Sequence, residues 1–227
     1  MEIFFSVVEF MGVAVFAMSG AMIAIDKEAD LVGVILMALV TTFGGGITRD
    51  LLLGIHPPKF FTSYSTLVII ALCSSVLTFI LASLFKRRYV ENEKKIETII
   101  NVVDAMGLGI FSVYSALIAI ENGHTAPFVA ISMGVIGAVV GGVVRDLMLG
   151  NIPFIIKKRI YFLACLAGAS VFYVLAVTFK FDIMWSTFAG FIATFTLRMC
   201  ATIFKWNMPK AINFAKLNAG TDGANNK

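Results

Sequence analysis

Charge is what this chain has least of. Asp, Glu, Lys and Arg make up 14% of its 227 residues, against 59% hydrophobic residues and a mean hydropathy of +0.92. A water-soluble domain of this length needs more polar surface than that, so soluble enzyme classes are excluded and no enzymatic activity is expected. Histidine and cysteine are scarce too, with two and three residues. His56 and His124 stand alone in loops, and no metal-ligand spacing occurs. Cys73, Cys165 and Cys200 all lie in apolar runs; an odd number there is no disulfide framework, and they read as small core residues. A basic leader is missing at Met1-Glu2-Ile3, and the apolar stretch that follows is too long for a signal core, so it is expected to stay as a span.

What is present is apolar length. A helix of roughly twenty apolar residues crosses a bilayer, and seven such runs occur at about 3–25, 31–54, 60–85, 96–120, 127–150, 157–180 and 183–204. The expected fold is therefore all-α and polytopic. Lys27, Lys86, Arg87, Arg88, Lys94, Lys95, Lys157, Lys158, Arg159 and the tail lysines 205, 210, 216 and 227 collect on one side. Only Lys59 and Lys180 fall on the other. Cytoplasmic loops hold such an excess, which places the N-terminus outside and the C-terminus in the cytoplasm of a cell (inner) membrane protein. Trp185 and Trp206 bracket the seventh run, where interfacial indoles belong. The tail 205–227 is polar, and its end is expected to be disordered.

The runs repeat. "EFMGVAVF" (9–16) aligns with "DAMGLGIF" (104–111), "AMIAI" (21–25) with "ALIAI" (116–120), and "GGITRDLLLG" (45–54) with "GGVVRDLMLG" (141–150). The third run of each unit matches only in hydropathy. Three crossings per unit make the second copy enter from the opposite face, as in transport proteins built on inverted repeats. The chain thus divides into a first three-helix repeat (1–85), a basic cytoplasmic linker (86–95), a second, inverted repeat (96–180), a seventh helix (181–204) and a cytoplasmic tail (205–227).

Within this frame the glycines and charges are conspicuous. A glycine costs about 1 kcal/mol in a helix interior, so Gly44, Gly45 and Gly46, and less strongly Gly141 and Gly142, are expected to kink or open the second and fifth helices toward a wet path. Gly137 and Gly141 form a small-xxx-small step, and for Gly137 close packing is the expectation. Arg49 and Asp50, like Arg145 and Asp146, lie roughly 8 Å inside their helix ends at ~1.5 Å per residue. Adjacent helical residues point ~100° apart, so Arg49 is expected to meet Glu9, and Arg145 to meet Asp104. Intramembrane charge is costly, pairs up and tends to line polar paths. An arginine that snorkels, or caps freed carbonyls, is an equal alternative. Ser19, Thr41, Thr42, Thr48 and Ser115 are hydroxyls at depth and candidates for lining a pore, although such hydroxyls usually bond their own backbone. Arg198 is a lone charge in the seventh run.

These elements, "FGGGITRD" in the second helix and "GGVVRD" in the fifth of seven, resemble the trimeric intracellular cation (TRIC) channel family, prokaryotic branch, over about residues 3–204. The resemblance implies a homotrimer in membrane lipid, each subunit with its own path between kinked helices 2 and 5. That path passes monovalent cations, chiefly potassium. The kinks would fall at Gly44, Gly45 and Gly46 and at Gly141 and Gly142, with Val140 where a third glycine would match. No cofactor is implied beyond a permeant potassium ion and bound lipid. The animal members' Lys-Glu-Val lipid-binding element is missing. The half-repeat also resembles a bacterial domain labelled as a glycine transporter, which keeps open a carrier of a small amino acid such as glycine. "GGVVRD" is similar to a motif of tRNA nucleotidyltransferases as well. Those enzymes need an Asp-x-Asp metal pair that this chain lacks, as it lacks G-x-G-x-x-G, so no nucleic-acid partner is expected.

Overall fold

The computed structural model describes residues 2–62, 65–85, 93–157 and 160–206. Its elements are α1 (Glu2–Asp26), α2 (Leu31–Leu52), a short α3 (Lys59–Thr62), α4 (Ser65–Leu84), α5 (Glu93–Glu121), α6 (Pro127–Met148), a short α7 (Phe154–Lys157), α8 (Ile160–Tyr173), a π-helical turn continuing it over Val174–Thr178, and α9 (Ile183–Ile203). No strand occurs among the described residues. Among the described residues, seven helices are long and apolar enough to cross a membrane. The basic positions Lys86, Arg87, Arg88, Lys158, Arg159, Lys210, Lys216 and Lys227 lie outside the described residues.

The helix ends follow local chemistry. Asp30 caps α2 by accepting from the Gly33 amide at 2.7 Å, and Asp182 caps α9 by accepting from the Met184 and Trp185 amides. Pro127 stands in the first turn of α6, where its missing N–H is no loss. The exits of α2 and α6 are alike. Gly54 (φ +71°) and Gly150 (φ +67°) take the left-handed conformation that ends a helix. The Ile55 amide then returns to the Asp50 carbonyl at 2.9 Å and the Asn151 amide to the Asp146 carbonyl at 2.8 Å.

The third and sixth runs carry short helices at their start, α3 and α7, and each is tied to the preceding spanning helix by an aspartate. Asp50 Oδ2 accepts the Lys59 amide at 3.0 Å, and Asp146 Oδ2 accepts the Phe154 amide at 2.9 Å. Each carboxylate thereby takes the first free N–H of α3 or α7, a group that has no partner within its own helix.

α1, α2 and α4 pack together, as do α5, α6 and α8; α1 against α5 and α2 against α6 join the two sets, and α9 lies on α8 and α5. In the most apolar stretch of each span 83% of α5 is buried but only 22% of α4, so α5 is central and α4 peripheral. Contacts between the sets are reciprocal. Phe16 and Phe111, equivalent in the repeat, stack with centroids 5.0 Å apart and planes at 16°. Phe111 sits beside Gly12, and Phe16 occupies the space over Gly107. Of the three cysteines only Cys165 is buried. Cys73 is exposed on α4 and Cys200 partly exposed on α9, because the apolar runs holding them face outward there.

Candidate functional site

Both Arg-Asp steps are interior. Arg49, Asp50, Arg145 and Asp146 are all at most 4% exposed. The expectation that each arginine turns away from its neighbouring aspartate is wrong. Arg49 donates from Nε (2.9 Å) and Nη2 (2.7 Å) to Asp50 Oδ1, and Arg145 donates from Nε to Asp146 Oδ1 at 2.9 Å. The ~100° separation describes Cβ directions. A guanidinium on a three-carbon arm folds back across that angle, and the aspartates are already held in place by the amides of α3 and α7.

The expected partners are nevertheless close by. Arg145 Nη1 lies 3.5 Å from Asp104 Oδ1 and contacts Ser19 Oγ at 3.4 Å; the Ser19 hydroxyl donates to Asp104 Oδ1 at 3.1 Å. In the matching place Arg49 Nη1 donates to Ser115 Oγ at 3.2 Å. Glu9 shares a cavity with Arg49 and Tyr114, but Arg49 spends its paired hydrogen bonds on Asp50. That cavity holds about 40 Å³ and is open on one side. Its polar lining is Glu9, Thr42, Arg49, Asp50, Lys59 and Tyr114, and Gly46 contributes bare backbone. A few waters or one partly hydrated ion fit such a space.

The second cluster is sealed. Asp104, Arg145 and Tyr161 are at most 2% exposed, and so is Arg198, which α9 inserts beside them. Arg198 Nη2 lies 3.8 Å from Asp104 Oδ2, and its guanidinium stands 4.8 Å from the centre of the Tyr161 ring. Between the clusters, along α1 and α5, sits the stacked Phe16–Phe111 pair. The first cluster thus opens to a cavity, whereas the second is dry.

α2 and α6 stay helical through Gly44, Gly45, Gly46, Gly141 and Gly142, so of the two expected forms, a kink or an opening, the unwound one is not seen. The glycines instead let two helices touch. A Cβ on Gly45 would overlap the Gly137 carbonyl oxygen, one on Gly141 would overlap the Thr41 carbonyl oxygen, and one on Gly44 would stand 3.2 Å from the Gly141 Cα. Close backbone contact of this kind offsets the helix penalty, as small residues do at membrane helix interfaces. At Gly137, where packing is the expectation, a Cβ would run into Ser115. Gly142 faces the Tyr161 hydroxyl and the Arg145 guanidinium.

The hydroxyls divide into two groups. Thr41, Thr42 and Thr48 donate to carbonyls one turn back, at 2.6, 2.7 and 2.8 Å. Thr42 still reaches the cavity, whereas Thr41 packs over Gly20 and does not line it. Ser19 and Ser115 bind the charges. Sequence reasoning missed Tyr161, Lys59 and the Phe16–Phe111 stack as site residues. The phenylalanines align in the repeat, which is the signal that marks them, whereas Tyr161 and Lys59 have no such mark.

Seven apolar helices enclosing two charge clusters define a multi-pass α-helical membrane protein. Comparison with known proteins makes that more specific. A family model described as "Glycine transporter" matches twice, over residues 6–83 and 101–177, each within one of the two units read from the sequence. The inner membrane protein YadS of Escherichia coli K12 is 32% identical over 200 residues, covering 88% of this chain and 91% of YadS. YvgT of Bacillus subtilis is 32% identical over 204 residues, covering 87% and 92%. The TRIC trimeric intracellular cation channel orthologue from Rhodobacter sphaeroides is 34% identical, with a TM-score of 0.79 over 89% of this chain and 98% of that one. A prokaryotic TRIC channel crystallised in 0.5 M KCl is 27% identical, with a TM-score of 0.80 over 92% and 100%. The chain belongs to the TRIC channel family.

Proposed function

We propose that the protein is a passive monovalent cation channel, with potassium as its main ion and a path through each subunit of a homotrimer. The observation that carries this reading is the outer cavity, where the Glu9 and Asp50 carboxylates and the Tyr114 and Thr42 hydroxyls meet beside a dry barrier. Oxygens at that density replace the water around a hard monovalent cation. Similar proteins of known structure that are TRIC cation channels support it. The path runs from the outer cavity, past Phe16 and Phe111, to the inner cluster, beside the α2–α6 glycine contact rather than through it. An inverted repeat fits the reciprocal contacts of α1 with α5 and of α2 with α6, and the excess of Lys and Arg on one side supports an N-terminus outside.

A second reading is a carrier for a zwitterion such as glycine. The family model's description favours it, as does a cavity presenting both Arg49 and Lys59 and both Glu9 and Asp50. Purified protein in a planar bilayer separates the two. Discrete unitary potassium currents are expected; saturable glycine exchange in liposomes without unitary currents would overturn the channel reading.

A further inference from the structure

The two charge clusters occupy matching places in the repeat but are not alike. Glu9 and Asp104 are equivalent positions. Glu9 is half-buried and open to the cavity. Asp104 is 1% exposed and faces two guanidiniums, Arg145 at 3.5 Å and Arg198 at 3.8 Å. The difference comes from α9, which has no counterpart in the repeat and delivers Arg198 onto the Tyr161 ring.

The inner cluster is also short of hydrogen bonds. Asp104 Oδ2, Arg145 Nη2, Arg198 Nε and Arg198 Nη2 are buried without one. Buried groups in that condition, charged ones above all, gain free energy when water reaches them. Their formal charges balance, two arginines against Asp104 and Asp146, and this balance lets the cluster stay dry.

The geometry points to Arg198 as a tethered cation that fills the inner ion site and locks it shut. Its guanidinium holds the place that a free monovalent cation would take between Asp104 Oδ2 and the face of Tyr161. When Arg198 withdraws, one negative charge is left uncompensated. Water then enters, and a cation binds Asp104 as one binds beside Glu9 in the outer cavity. The inference rests on the conduction reading above.

The fold supplies a reporter that does not depend on conduction. Cys165 lies one turn beyond Tyr161 on α8, free and fully buried. In a Cys73→Ser, Cys200→Ser background, its modification by 2-aminoethyl methanethiosulfonate, applied to both faces of reconstituted protein, measures water access to the lock. Arg198→Gln is expected to raise the modification rate by about tenfold or more, the factor that 1.4 kcal/mol of easier opening gives. Open probability in planar bilayers is expected to rise with unitary conductance unchanged. Arg198→Met, which keeps the packing of the stem, is expected to behave alike, and Arg198→Lys, which keeps the charge, to stay protected. Equal protection of Cys165 in wild type, Gln and Met variants overturns the lock, whatever the currents do. So does a Lys variant as open as the Met variant. Faster modification without current in any of these proteins leaves the lock standing and removes the conduction reading instead.

Discussion

The three adjacent glycines of α2 give the sharpest test of what glycine does here. Each alanine substitution adds one Cβ and the same gain in helix propensity, about 1 kcal/mol. That gain cancels when the three variants are compared, leaving only what each methyl meets. On Gly46 it finds its nearest neighbour, Arg49 Nη2 at the end of a flexible side chain, at 3.8 Å, an ordinary contact. On Gly44 it stands 3.2 Å from the Gly141 Cα, so α6 must yield by a few tenths of an ångström. On Gly45 it overlaps the Gly137 carbonyl oxygen, which is backbone within a continuous helix and cannot rotate away. Overpacking of that kind costs typically 1–3 kcal/mol. Gly45→Ala is therefore expected to be less stable than Gly46→Ala by about that amount, with Gly44→Ala between them. Thermal unfolding of the purified variants in one detergent, followed by loss of helical circular dichroism, reads the order. Equal melting temperatures for Gly45→Ala and Gly46→Ala would refute the contact. A Gly46→Ala variant that melts lowest would restore the opened helix in its place.

The charge sites yield three further expectations. A double-mutant cycle on Arg145 and Asp104 should show a coupling of about 0.5–3 kcal/mol in stability, and one on Arg49 and Asp50 should exceed one on Arg49 and Glu9; additivity of Arg49 with Asp50 would remove that pair. Asp50→Asn keeps an acceptor for the Lys59 amide but strips Arg49 of its counter-charge. Breaking a buried pair costs about 3–5 kcal/mol, so a clear fall in melting temperature is expected, and an unchanged one would show that Arg49 is paired elsewhere. Phe16→Ala should lose about 3–5 kcal/mol of stability while raising the leak of potassium through reconstituted protein. Reduced stability with no extra leak would place the barrier away from the Phe16–Phe111 stack.

What the sequence by itself determined follows from constraints that are uniform along the chain. A bilayer demands about twenty apolar residues per span, so the seven helices were legible with boundaries displaced by only a few residues. Duplication leaves matching letters, so Glu9 with Asp104 and Phe16 with Phe111 were in view as aligned pairs. Tertiary structure alone decided the rest, because the deciding atom lies on another helix. Gly45 reads as a weak point of α2 until the Gly137 carbonyl is placed against it. Arg49 and Asp50 diverge by helix geometry until the Lys59 amide fixes the carboxylate where the guanidinium can reach it. Arg198 is one charge in an apolar run until α9 docks and sets it beside Asp104 and Tyr161. Helix formation and membrane insertion depend on local composition, whereas charge pairing and backbone contact depend on which faces meet, and one helix's sequence does not contain its neighbour's surface.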